Sequence, residues 1–194
     1  MSGQGARKDK VFYKDVAAAQ GVMAVLFLLL VPLVNMFGPG YQRTASMLHG
    51  LGASLTLLLS TYAMHAYYGY ARGSGTAKKK LQQRLLLTNV LTLGTIVTAN
   101  WLYAGYQAPD GASEWLKLHA PAGHWVLMEY KEFVALMAFP FGTAASVLLW
   151  RMPEDAGGEA AVIRYIVGML LTLLWFCLLV GFAFGIMLAK WKMV

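Results

Sequence analysis

Charge is what this chain has least of. Charged residues make up 13% of its 194 positions against 58% hydrophobic ones, and the mean hydropathy is +0.54, outside the range of an ordinary soluble domain. Acidic residues are the scarcer sign, nine against sixteen Lys and Arg, leaving a formal net charge of +7. A basic excess placed between long apolar runs marks membrane orientation rather than nucleic-acid binding, so nucleic acid is set aside as a partner. The single cysteine, Cys177, excludes an intrachain disulfide and a cysteine-based zinc site. There is no Walker loop, nucleophile elbow, HExxH helix, CxxCH haem-attachment motif or Gly-rich dinucleotide loop, and the catalytic sites built on those motifs go with them.

The apolar residues are gathered into runs. Crossing a hydrocarbon core takes about 20 mostly apolar residues, and five stretches meet that length, at about 16–37, 46–70, 85–106, 123–150 and 161–189. The expected fold is therefore all-α, a polytopic helical bundle of about five transmembrane helices forming one domain over 1–194, preceded by a basic tail at 1–15. The first stretch ends in Val34-Asn35-Met36-Phe37-Gly38-Pro39-Gly40 without a small-residue cleavage pattern and reads as a retained helix.

Short flanks rich in Lys and Arg resist translocation. Eleven basic residues fall on one side: Arg7, Lys8, Lys10 and Lys14 in the tail, the group from Arg72 to Arg84, and Arg151 with Arg164. Four fall on the other, Arg43, Lys117, Lys190 and Lys192. This places the N-terminus in the cytoplasm and the C-terminus outside, and the expected location is a bacterial inner membrane. The 107–122 connection, with Pro109, Gly111, Trp115, Leu118 and Pro121, reads as an interfacial segment over the outer mouth.

Chemistry must then lie between helices, and histidine is the first candidate, as a haem ligand and as a group that exchanges protons near neutrality. His49 opens the second span from outside, His124 opens the fourth, and His119 precedes it in the loop. A b-type haem needs axial nitrogens from two facing helices at similar depth. His49 and His124 are the expected iron ligands, with His119 in reserve and with Gly50, Gly52, Ala53 and Gly123 giving the macrocycle room. His65 lies sixteen residues after His49, roughly 24 Å along the helix and about 160° around it, so the two cannot share one haem. It belongs to the cytoplasmic half, as a ligand completed by another helix or subunit or as part of the aromatic belt with Tyr67, Tyr68 and Tyr70.

The fourth span also carries Glu129, Lys131 and Glu132. Ionisable side chains at this depth face protein or water and pair with one another. Glu129 and Glu132 are three apart and neighbour each other on the helix, while Lys131, seven residues after His124, is nearly in phase with it. They form an expected quinone or proton site, or alternatively an ion pair that docks a partner subunit.

A small helical bundle with His49, His65 and His124 on two of its spans resembles the b-type cytochrome membrane anchors of respiratory complexes. The resemblance covers spans two to four and lacks the usual pair of same-face histidines thirteen or fourteen residues apart. It implies haem b, exchange of electrons with the quinone pool or with an external cytochrome or other redox protein, and residence among other membrane subunits in the lipid bilayer. The expected function is an electron-relay subunit of an oxidoreductase complex. The alternatives are a cofactor-free structural or assembly subunit and, with less support in the absence of an inverted repeat, a metal-ion or proton transporter.

Overall fold

The computed structural model describes residues 42–152 and 157–192, together with Val22. Every regular element among the described residues is helical. They are α1 (Gln42–Ala71), α2 (Gly75–Tyr106), the short α3 (Ala112–His119), a π-helical segment (Gly123–Met128) running directly into α4 (Glu129–Arg151), and α5 (Gly157–Lys192).

Four stretches are long and apolar enough to cross a membrane: Arg43–Ala71, Gly75–Tyr106, Gly123–Arg151 and Ala160–Lys190. They coincide with the second to fifth expected spans, except that α2 begins ten residues before the expected 85. The cause is local. Ser74 caps the helix, its hydroxyl accepting a hydrogen bond from the Ala77 amide at 3.3 Å, and Lys78, Lys79 and Lys80 are good helix formers that carry it beyond the apolar run. The basic tail and the rest of the expected first span, 16–37, lie outside the described residues.

The turn between α1 and α2 closes on Gly73, whose φ of +86° is the left-handed conformation that a helix end of this type requires. Its amide bonds the Tyr70 carbonyl at 2.9 Å and the Ser74 amide bonds the Gly69 carbonyl at 3.2 Å. These two bonds satisfy the last carbonyls of α1 and reverse the chain within three residues.

Packing runs around a ring, with α1 against α2 and α5, and α4 against the same two helices, so α1 and α4 face each other diagonally. Helices in lipid associate by close packing rather than by the hydrophobic effect, and the interior is accordingly small or tightly meshed: Ala63, Ala138 and Ala145 beside Leu81, Leu85, Leu149 and Leu174. Threonines are accommodated because their hydroxyls bond backbone carbonyls four residues back, as in Thr56, Thr88, Thr92 and Thr95. Between α2 and α4, Asn89 Nδ2 donates to Ser146 Oγ at 2.9 Å. Gly142 allows that approach, since a Cβ there would collide with the Asn89 amide oxygen. Less than half of each span is buried within the bundle, which leaves broad apolar faces, such as Leu51 and Leu58 on α1 and Met169 and Phe176 on α5, suited to contact with the lipid bilayer.

Candidate functional site

The polar residues meet at the end of the bundle where α2 finishes and α4 begins. His124 is 1% exposed, and its Nδ1 lies 2.5 Å from the Tyr106 hydroxyl. The two rings are stacked at 5.8 Å, Tyr103 continues the stack at 5.9 Å, and Trp125 meets the imidazole edge-on at 4.5 Å. Over them lies α3, with Ser113 and Leu116 buried and Leu118 exposed. Ser113 is 1% exposed, and its hydroxyl lies beside Tyr106 without making a hydrogen bond of good geometry.

The π-helical segment decides which charged residue joins this cluster. In an α-helix each residue turns by about 100°, and on that basis Lys131 shares a face with His124. The turns of Gly123–Met128 close with one residue more, which removes about 100° of rotation between His124 and the start of α4. Lys131 thereby loses register with His124 and Glu132 gains it. Glu132 consequently lies within electrostatic reach of Tyr106, and Glu129 reaches it more weakly.

Lys131 turns instead toward α5 and α1. Its Cε sits 3.8 Å from the position a Cβ on Gly185 would take, and it lies within electrostatic reach of His49 as well as Glu132. Glu129, one turn above Glu132, is exposed while Glu132 is half-buried, and the two carboxylates remain within electrostatic reach of each other.

His49 is half-buried and bonds the Thr95 carbonyl at 3.1 Å through Nδ1. A carbonyl only accepts, so Nδ1 carries the proton and the Nε2 lone pair is left available, the arrangement a metal-ligating imidazole uses. His119 is exposed, stacks on Trp115 at 4.8 Å and spends its Nδ1 on the Trp115 carbonyl at 3.0 Å. His65 is exposed on the outer face of α1, away from the cluster.

These anchors correct the expectation of similar depth for His49 and His124. One is held at Thr95 and the other at Tyr106, eleven residues apart on α2, which is about 16 Å of helix rise. Even if the tyrosine side chain leans back by a full turn, about 5 Å, the imidazoles stay at different levels. The structure does not bring them to one iron. Gly52 does not provide the expected space for a macrocycle either: a Cβ there would come 2.6 Å from Thr95 Oγ1, so its missing side chain serves the α1–α2 contact. Among the described residues, no three or more His, Cys, Asp or Glu side chains come together in a group able to hold a metal ion.

Sequence reasoning missed Tyr106, Ser113 and Thr95. Tyr106 reads as one more aromatic at a membrane interface, and only its position at the end of a span, level with the start of the next, hints at a contact with His124. Asn89 takes no part in this cluster and is occupied with Ser146 further along α4. No protein family, no curated protein and no solved structure matches this chain.

Proposed function

We propose that this chain is the membrane-embedded subunit of an electron-transfer complex that receives the protons of a quinol at its outer end. The observation that carries the reading is the hydrogen bond between the buried His124 and the half-buried Tyr106, with Glu132 brought into register beneath it. A quinol hydroxyl gives its proton to the Tyr106 oxygen as Tyr106 passes its own to His124 Nδ1. The second proton goes to Glu132, whose carboxylate Lys131 balances before transfer. The two electrons leave one at a time to a one-electron centre in a partner subunit, and quinone departs. Ser113 supplies a buried hydroxyl with hydrogen-bonding capacity to spare at the same place. No step passes through a haem, because His49 and His124 stand at different levels. The count of five spans belongs to this proposal and rests on the five apolar stretches of the sequence; the cytoplasmic N-terminus, in a bacterial inner membrane, rests on the eleven-to-four distribution of basic residues.

The test is titration of the purified protein in lipid nanodiscs with a short-chain quinol, read by quenching of the tryptophan emission that a Trp125→Phe variant loses. Saturable quenching is expected, and Tyr106→Phe should weaken it by about tenfold, the worth of one net hydrogen bond of roughly 1–1.5 kcal/mol. Quenching that never saturates, or that Tyr106→Phe, His124→Ala and Glu132→Gln all leave unchanged, refutes the reading.

The exposure of Glu129 favours a second reading, a cofactor-free structural subunit docked through α4. That carboxylate is exposed at the start of α4, where a partner's cation would meet it. Loss of co-purifying subunits in Glu129→Gln, with quinol binding absent in the parent, would establish it.

A further inference from the structure

The outer face of α1 carries a seam with the spacing of a helix–helix contact. Leu48, Leu51, Leu55, Leu58, Tyr62 and His65 recur at alternating steps of three and four residues, and all but His65 are large apolar side chains at least 40% exposed. This is the a/d pattern by which one helix meets another along its length. The remaining flanks of α1 are taken by α2 and α5.

We propose that the stretch 16–37 of this same chain covers the seam, antiparallel to α1. Connection length carries the argument. Only residues 38–41, Gly-Pro-Gly-Tyr, separate that stretch from Gln42 at the start of α1, and helices joined by so few residues are antiparallel neighbours. Pairing outward from that turn, with 37 level with 42, sets Leu28 opposite Leu51, Ala24 opposite Leu55, Gly21 opposite Leu58 and Ala17 opposite Tyr62. Small residues therefore meet the large ones toward the far end, the complementarity that lets helices approach closely in lipid. Ala17, Gly21, Ala24 and Leu28 fall on one face at helical spacing, and Val22, which is 61% exposed, lies on the opposite one. The inference is independent of the quinol reading.

Disulfide trapping in native membranes tests it, because Cys177 is the only cysteine to remove. In a Cys177→Ala background, the pairs Ala24→Cys with Leu55→Cys and Leu28→Cys with Leu51→Cys should each crosslink within one chain on mild oxidation. Yields should be within about twofold of a control pair at Gly69 and Ala77, where a Cβ on Gly69 would stand 3.0 Å from the Ala77 Cβ. Crosslinks between two copies would assign the seam to a dimer and overturn the proposal. So would trapping of Ala24→Cys with Phe176→Cys on α5 in place of Leu55→Cys. Failure of both α1 pairs while the control forms would leave the seam to lipid or another subunit, and also overturns it.

Discussion

Gly142 is the position at which a single methyl group has the most to disturb. A Cβ there would overlap the Asn89 amide oxygen and would lie 3.6 Å from Leu174 Cδ1, and Asn89 is held in place by its hydrogen bond to Ser146. Gly142→Val must therefore displace the amide. That leaves the Ser146 hydroxyl and the amide unpaired between helices, at about 1–3 kcal/mol, and overpacks the contact by about 1–3 kcal/mol more. The intrinsic gain of replacing glycine by valine within a helix is roughly 0.3 kcal/mol and does not compensate. The net loss is on the order of 3 kcal/mol, or about 6–12 °C in melting midpoint for a chain of this size. Cys177 offers the assay. It is the only cysteine and is 6% exposed, so its reaction with a thiol-specific fluorophore on heating reports opening of the bundle. Gly94, where an added Cβ meets nothing within 4 Å, is the control, and Gly94→Ala should not lower the midpoint. The diagnostic is the double substitution: Asn89→Ala removes the obstructed amide, so Gly142→Val should cost at least about 1 kcal/mol less in its presence. An unchanged midpoint for Gly142→Val, or full additivity with Asn89→Ala, refutes this account of the α2–α4 contact.

The local geometry sets three further outcomes. Gly52→Ala places a Cβ against Thr95 Oγ1 and should destabilise by about 1–3 kcal/mol; Thr95→Ala in the same chain should restore most of the loss, measured by the same thermal assay. Ser74→Ala removes the cap of α2 and should cost about 1 kcal/mol, with hydrogen exchange accelerated at Ala77 and Lys78 rather than throughout the helix. Deletion of Val126, an exposed residue of the π-helical segment, should restore α-helical register, turn His124 by about 100° away from Tyr106 and weaken quinol quenching as far as His124→Ala does. Retention of full binding by the deletion would show that the extra residue has no part in positioning the imidazole.

The four described spans were legible because the bilayer imposes length and hydrophobicity on each helix separately. The place of α3 over the end of the bundle was legible as well, from Trp115, Leu118 and the prolines around them. What periodicity could not supply was phase across an irregular turn. Counting at about 100° per residue pairs His124 with Lys131, whereas the π-helical turns pair it with Glu132, and nothing in Gly-His-Trp-Val-Leu-Met announces the extra residue. Depth was misjudged for a related reason. His49 and His124 both stand near the starts of their spans, but α1 and α4 enter the bundle at different heights relative to α2, as the anchors at Thr95 and Tyr106 reveal. Tyr106 and Ser113 were missed because their role arises from contacts across a loop, which single-helix patterns do not encode.

The other end of the bundle bears on how the site can work. There Lys78 Nζ bonds the Met152 carbonyl at 2.9 Å, Gln82 Nε2 the Leu149 carbonyl at 3.1 Å and the Tyr67 hydroxyl the Arg164 carbonyl at 3.0 Å. These bonds lace the helices in two pairs at that margin, α2 with the end of α4 and α1 with α5, which makes it a fulcrum. From Lys78 to Tyr106 α2 is a lever about 42 Å long, so a tilt of only about 5° about the laced end moves the Tyr106 end by roughly 4 Å. A gap of that width is close to the thickness of a flat aromatic ring. The reactive side chains are carried at the far end of that lever, where the Tyr106–His124 bond is the contact such a tilt would part.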